Sequence, residues 1–234
     1  SRAAYSQSNA ICMMLLGAYL WVRHHRDSSS RPFSLILPGL AVGWSFICHF
    51  NMAWVTIAFL TIEAIVLFLR NEPANLKSRL QRLFILGTSM AAPALAFEAT
   101  GQIAKRVGIF PSEYPTYLGQ FAHREPLAKA IRVSFEQIPF WTARLIQVEG
   151  LLVILASAFG LFLVIPRIRK LNLGDLLVVA LLFSVIVPPS ILSPKGYYFM
   201  LRNYAAAGPF IALLAALSCG WLARKFHNSA LPIT

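Results

Sequence analysis

The chain has 234 residues, of which 57% are apolar and only 13% charged, and its mean hydropathy is +0.63. Because a soluble domain contains about 45–50% apolar and about 25% charged residues, this composition excludes an ordinary soluble domain and predicts a multi-pass membrane protein. The formal net charge of +12 is explained by cations gathered in short cytoplasmic loops. No nucleic-acid-binding module accompanies that charge, so no nucleic-acid partner is expected.

Several apolar stretches are long enough to be membrane spans, since a helix needs about 20 residues to cross the hydrocarbon core. Residues 32–69 carry one formal charge, Glu63, and their length predicts two crossings with a break near residues 49–51. A further break is expected at Pro188 and Pro189. The seven predicted spans are residues 3–22, two within 32–69, 83–101, 148–166, 176–193 and 203–223.

The connecting loops form two alternating sets that differ in Lys and Arg content. One set holds 12 of the 21 cations, in residues 23–31, 70–82 and 167–175 and at the C-terminal end. Since short cytoplasmic loops are rich in Lys and Arg, we expect this set to be cytoplasmic, in an inner or plasma membrane, with the N-terminal end of the chain outside. An outside start fits a piece that follows an odd number of earlier spans, so we expect a fragment of a longer protein.

The long polar loop, residues 102–147, is therefore expected on the extracytoplasmic side. After Pro126, apolar residues recur at helical spacing and predict an amphipathic helix in the membrane interface. These residues are Leu127, Ile131, Phe135 and Ile138. The predicted fold is an all-α, polytopic transmembrane bundle of about seven spans plus this surface helix, in a single domain over residues 1–234.

Glu63 is the clearest anomaly, because an ionisable group within a span costs several kcal/mol unless it is paired, protonated or hydrated. One interpretation is a proton or ion path, and the other is a protonated or hydrogen-bonded carboxyl at a helix contact. His24 and His25 fall in the Arg- and Ser-rich stretch 23–31 and are predicted to be ordinary loop residues. No metal-ligand spacing and no catalytic motif is present.

Cationic and aromatic residues on the predicted outer side suggest a phosphate site. His49 follows the break between two spans, and Lys195, Arg202 and Tyr204 lie in a segment rich in tyrosine. Arg forms paired hydrogen bonds with phosphate oxygens, and Lys acts as a point charge. The alternative is an aromatic belt with cations that reach the headgroups, and for His49 an interfacial imidazole that reaches water.

Three stretches together resemble the later spans of C-type membrane glycosyltransferases, in particular the protein O-mannosyltransferase and aminoarabinose-transferase group. They are SRAAYSQSNAICMMLLGAYLWVR, LPGLAVGWSFICHFNMAWVTIAFLTIEAIVLFL and SPKGYYFMLRNYAAAGPFIALLAALSCGWLA. The second is similar to that group's Gly-rich helix leading to a Lys or His at the outer surface, and His49 takes that place. The third resembles its closing Arg-Tyr-Pro pattern through Arg202, Tyr204 and Pro209, although Asn203 intervenes.

The resemblance implies a sugar donor linked to a polyprenyl phosphate, with membrane lipids as surroundings. It implies that His49, Lys195 and Arg202 neutralise the lipid phosphate as it leaves. The family's catalytic carboxylate lies in a first outer loop without a counterpart here, so the chain would be the C-terminal part, and no catalytic residue is assigned. A divalent metal is compatible with this chemistry, but no residue here specifies one.

Two other functions stay open on the sequence. A non-catalytic membrane subunit of a larger complex explains the apolar composition and the missing carboxylate equally well. A transporter is suggested by Glu63 and by the break at Pro188 and Pro189, but the inverted repeat that such proteins often show is not found.

Overall fold

The described part of the protein consists of helices and the short turns between them. The computed structural model describes residues 2–27, 31–49, 52–69, 75–111, 143, 145–168, 170, 172–192 and 197–229. Within these residues there is no strand, which confirms the all-α prediction. The helices are α1 (Arg2–Arg26), α2 (Ile36–Cys48), α3 (Ala53–Leu69), α4 (Leu76–Arg106), α5 (Leu151–Ile168), α6 (Leu173–Leu192) and α7 (Tyr197–Ser229), with a 3-10 turn at Pro32–Leu35 before α2.

Three of the described helices are long and apolar enough to cross a membrane: Leu76–Arg106, Leu151–Ile168 and Ala206–Phe226. Three further apolar helices are shorter: Pro32–Cys48, Ala53–Leu69 and Leu173–Val187. A helix of 17 residues rises about 26 Å, slightly less than the hydrocarbon core of about 30 Å. These helices identify a membrane protein.

The loop predicted over residues 23–31 is wrong at its start. α1 continues to Arg26, so His24 and His25 lie in its last helical turn. The loop predicted over residues 70–82 is wrong at its end, because α4 begins at Leu76 and is capped by the side chain of Asn75. Lys and Arg are good helix formers, so the cations that end an apolar span do not end the helix.

Two other predicted boundaries also fall inside helices. α6 continues through Pro188 and Pro189 to Leu192, which is tolerated in membrane helices because neighbouring groups satisfy the freed carbonyls. α7 begins at Tyr197, ahead of the predicted span 203–223. The break near residues 49–51 is confirmed, since α2 ends at Cys48 and α3 begins at Ala53. The predicted helix after Pro126 lies outside the described residues.

The chain divides into two compact units, residues 1–130 and 131–234, and its assignment to one membrane domain stays a prediction. In unit 1, α2 packs against both α1 and α4. Close approach depends on glycine, since a methyl group on Gly43 would overlap the backbone oxygen of Met90 in α4, and one on Gly17 would overlap Val42 in α2. Gly39 faces Ser89 of α4 in the same way. The contact of α2 with α4 is therefore made through two small residues four positions apart, Gly39 and Gly43.

In unit 2, α7 packs against α5 and α6. A methyl group on Gly160 of α5 would overlap the backbone oxygen of Leu214 in α7. The hydroxyl of Ser157 donates to the carbonyl of Ile211 at 2.7 Å, and that of Ser218 donates to the carbonyl of Ala156 at 2.6 Å. The α5 and α7 backbones therefore approach closely through small residues.

The turn between α5 and α6 carries an ion pair, with Arg167 Nε 2.8 Å from Asp175 Oδ2. The side chain of Arg167 is 51% exposed. Asn172 caps α6, because its side-chain oxygen accepts a hydrogen bond from the backbone N–H of Asp175 at 3.3 Å.

Candidate functional site

The carboxylate of Glu63 is fully buried at the contact between α1, α3 and α4. Trp21 Nε1 donates a hydrogen bond to Glu63 Oε2 at 2.8 Å, and His25 Nε2 lies 2.8 Å from the same oxygen. Arg82 Nη2 lies 3.4 Å from Glu63 Oε1. Two side chains of α1 and one of α4 thus converge on one acidic group of α3.

The cluster extends from Glu63 to a second buried histidine, His24. Arg82 Nη2 lies 3.4 Å from both His24 Nε2 and His25 Nδ1. His24 Nδ1 is 2.5 Å from the hydroxyl of Ser34, which donates to the carbonyl of Arg31 at 2.7 Å. A continuous set of polar contacts therefore connects the exposed 3-10 turn to the buried carboxylate.

Burial makes these contacts necessary for the fold of unit 1. The side chains of His25, Glu63 and Arg82 are 2%, 0% and 13% exposed. A buried charge costs several kcal/mol unless it is paired and hydrogen-bonded, and Glu63 has both kinds of partner. The structure supplies the hydrogen bonds that the helix-contact interpretation of Glu63 requires.

The apolar surroundings of the cluster hold the aromatic ring of Trp21 in place. The indole is fully buried, packs edge-on to Phe59 of α3 with ring centroids 6.3 Å apart, and lies 4.4 Å from the centroid of His25. Trp21 and His25 are four residues apart on α1, so they lie on one face of the helix.

The sequence contained a signal for this cluster that the span boundaries concealed. Trp21, His24 and His25 are spaced three and four apart, which places them on one helical face once α1 is extended past residue 22. The partnership with Arg82 could not be read from spacing, because 57 residues separate it from His25 along the chain.

His49 caps the C-terminal end of α2. Its backbone is extended and its N–H donates to the carbonyl of Ser45, while its own carbonyl accepts from the N–H of Met52 at 2.9 Å. The side chain is half-buried. His49 therefore lies in the turn that links α2 to α3, where the sequence predicted it.

The other predicted phosphate-binding residues cannot be built into a site from the described atoms. Lys195 lies outside the described residues, and the side chains of Arg202 and Tyr204 lie outside the described part of α7. The backbone at Arg202 and Tyr204 is helical, because α7 includes both residues, and their position on the outer side stays a prediction.

Among the described residues, no group of three His, Cys, Asp or Glu side chains is arranged to hold a metal ion. The cluster around Glu63 pairs its carboxylate with the guanidinium of Arg82 and with the N–H donors of Trp21 and His25 instead.

Comparison of the chain with protein families, with curated proteins and with solved structures found no match.

Proposed function

We propose that this chain is the C-terminal part of a membrane glycosyltransferase that moves a sugar from a polyprenyl-phosphate carrier to an acceptor on the extracytoplasmic face. The observation that supports the proposal best is the arrangement of α2. Gly39 and Gly43 bring this short helix close to α4, and the helix ends at His49. The resemblance implies a Gly-rich helix that leads to a Lys or His, and we place His49 at the outer surface as part of the proposal.

The proposed topology has seven crossings, with the N-terminal end outside, the C-terminus cytoplasmic and the loop 102–147 extracytoplasmic, in an inner or plasma membrane. The positions of charged residues within unit 1 support it. His49 precedes α3, whereas Glu63 lies about 15 Å further along the axis of that helix, counted from Ala53. Arg82 meets Glu63 there, so the basic end of unit 1 is separated from His49 by much of the length of α3.

The chemical role of the outer cations follows from the leaving group. When the sugar departs, negative charge develops on the lipid phosphate, and preorganised cations stabilise that charge in the transition state. His49, Lys195 and Arg202 each offer N–H donors for this purpose, and Tyr204 offers a hydroxyl. The carboxylate that activates the acceptor is assigned to a part of the protein outside this chain.

The direct test is binding of a polyprenyl phosphate to the protein in lipid nanodiscs, measured by native mass spectrometry or by displacement of a fluorescent analogue. We expect Arg202→Ala to weaken binding at least about tenfold, because a charge-assisted contact contributes about 1.5–3 kcal/mol. Arg224→Ala, near the other end of α7, is the matched control and should bind as the wild type does.

Equal binding by Arg202→Ala and Arg224→Ala would contradict the assignment of Arg202. No measurable binding by the wild type would contradict the lipid-phosphate proposal as a whole and would favour the non-catalytic subunit.

A further inference from the structure

The contacts of the two histidines define which of their nitrogens carry hydrogen. A guanidinium group can only donate hydrogen bonds, so His24 Nε2 and His25 Nδ1, both 3.4 Å from Arg82 Nη2, are acceptors. The hydrogen of His25 then lies on Nε2 and is donated to Glu63, and that of His24 lies on Nδ1 and is donated to Ser34. Both imidazoles are neutral in this arrangement.

The hydroxyl of Ser34 supports the assignment at His24. Its hydrogen is donated to the carbonyl of Arg31, so its oxygen is an acceptor toward His24 Nδ1. The hydrogens on the two imidazoles and on Ser34 thus each have an acceptor, and the two charged groups are Glu63 and Arg82.

We propose that His25 and Arg82 are alternative counter-ions of Glu63, and that protonation of His25 releases Arg82 from the cluster. A proton added to His25 must bind to Nδ1, the nitrogen that faces Arg82 at 3.4 Å. Two N–H donors and two positive charges would then face each other there. At the same time the contact between His25 Nε2 and Glu63 becomes a charge-assisted hydrogen bond, which is about twice as strong as a neutral one.

Arg82 is the side chain that leaves, because it is the most exposed of the three. Its side chain is already 13% exposed, whereas those of His25 and Glu63 are 2% and 0% exposed. A long arginine can extend from a half-buried position toward water or headgroups. The exchange keeps Glu63 paired with one cation throughout, and it strengthens the contact of α1 with α3 while it weakens the contact with α4.

The groups that face the two imidazoles come from α3, α4 and the 3-10 turn before α2. α3 contributes Glu63, α4 contributes Arg82 and the 3-10 turn contributes Ser34, while His24 and His25 face each other with ring centroids 5.1 Å apart. His25 therefore contacts one anion, Glu63, and one cation, Arg82. Histidine is the side chain that changes charge between about pH 5 and 8, so the exchange is tested over that range.

Trp21 reports the protonation of His25 directly, because an imidazolium quenches indole fluorescence and the two rings are 4.4 Å apart. The protein has five tryptophans, so the signal is the emission of the wild type minus that of Trp21→Phe, in detergent micelles from pH 8 to 5. We expect a single quenching transition that is lost in His25→Gln and retained in His24→Gln. A flat signal over this range would overturn the proposal.

Arg82→Gln decides whether Arg82 and His25 compete. Removal of the opposing cation should move the midpoint of the Trp21 transition to higher pH, whereas Arg82→Lys, which keeps the charge, should stay near the wild type. Arg79→Gln is the matched control on the same helix, since Arg79 lies over the ring of Phe68. An unchanged midpoint in Arg82→Gln would contradict the exchange.

A measurement on the unaltered cluster covers the case in which Arg82→Gln does not fold. Nitrogen-15 shifts of labelled histidine at pH 8 distinguish the two neutral tautomers. We expect hydrogen on Nε2 of His25 and on Nδ1 of His24, with the resonances assigned from His24→Gln and His25→Gln. Hydrogen on Nδ1 of His25 would remove the acceptor for Arg82 and overturn the proposal.

Discussion

The two units bury different polar groups at their helix contacts. In unit 1, the carboxylate of Glu63 is paired with Arg82 and His25, whereas in unit 2 the hydroxyls of Ser157 and Ser218 donate to backbone carbonyls. A hydroxyl can be removed at little cost because the carbonyl already has a partner within its helix. A buried charge has no such alternative, so the packing of unit 1 depends on particular side chains and that of unit 2 depends on shape.

The largest effect is expected at Glu63. Glu63→Gln leaves Arg82 without its counter-ion, and the loss of one partner from a buried pair costs about 3 kcal/mol of unfolding free energy. Asp175→Asn is the matched control, because its partner Arg167 is half exposed, so water can solvate the guanidinium once the pair is lost, and we expect a loss of about 1 kcal/mol. Reversible unfolding in mixed micelles measures both.

The double variant Glu63→Gln with Arg82→Gln should recover part of the loss, since it removes the unpaired cation as well. If Glu63→Gln were no more destabilising than Asp175→Asn, unit 1 would not depend on its buried charge more than unit 2 does.

The next effect concerns glycines where helices are closest. Gly43→Ala and Gly160→Ala each place a methyl group against a backbone oxygen, and we expect a loss of about 2 kcal/mol in either unit. Gly101→Ala and Gly220→Ala are the controls, since nothing lies within 4 Å of the added methyl group and alanine favours a helix by about 0.5–1 kcal/mol. Equal unfolding midpoints for the two pairs of variants would contradict the close approach.

The smallest effect is expected for the serines of unit 2. Interhelical hydrogen bonds in membrane proteins contribute about 0.6 kcal/mol on average, so the double variant Ser157→Ala with Ser218→Ala should lose about 1 kcal/mol. The control is Thr61→Ala with Thr100→Ala, whose exposed hydroxyls bond to carbonyls of their own helices and should be close to neutral. A loss above about 3 kcal/mol for the serine pair would make unit 2 as dependent on polar side chains as unit 1.

Much of the fold could be predicted because apolar runs identify membrane helices well. Composition predicted the helical class, length predicted the break after Cys48, and the isolated charge drew attention to Glu63. Helix ends were harder to predict, because charged residues such as Arg26 and Lys77 continue the helix instead of ending it.

The partners of Glu63 could not be predicted for two reasons, the misplaced end of α1 and the unknown neighbours of each helix. Ending the first span at residue 22 removed His25 from the helix that carries it toward α3. The contact with Arg82 depends on how α1, α3 and α4 meet around Glu63, and a single sequence contains no periodicity that reports which helices are neighbours.

We propose that the two ends of unit 1 face opposite sides of the membrane, with His49 outside and the basic end around Arg82 in the cytoplasm. Cysteine labelling tests it most directly, in a variant whose three native cysteines are replaced by serine. An impermeant maleimide should label His49→Cys in intact cells and Arg79→Cys only after permeabilisation. Labelling of both from the same side would contradict the topology and the outer phosphate site that depends on it.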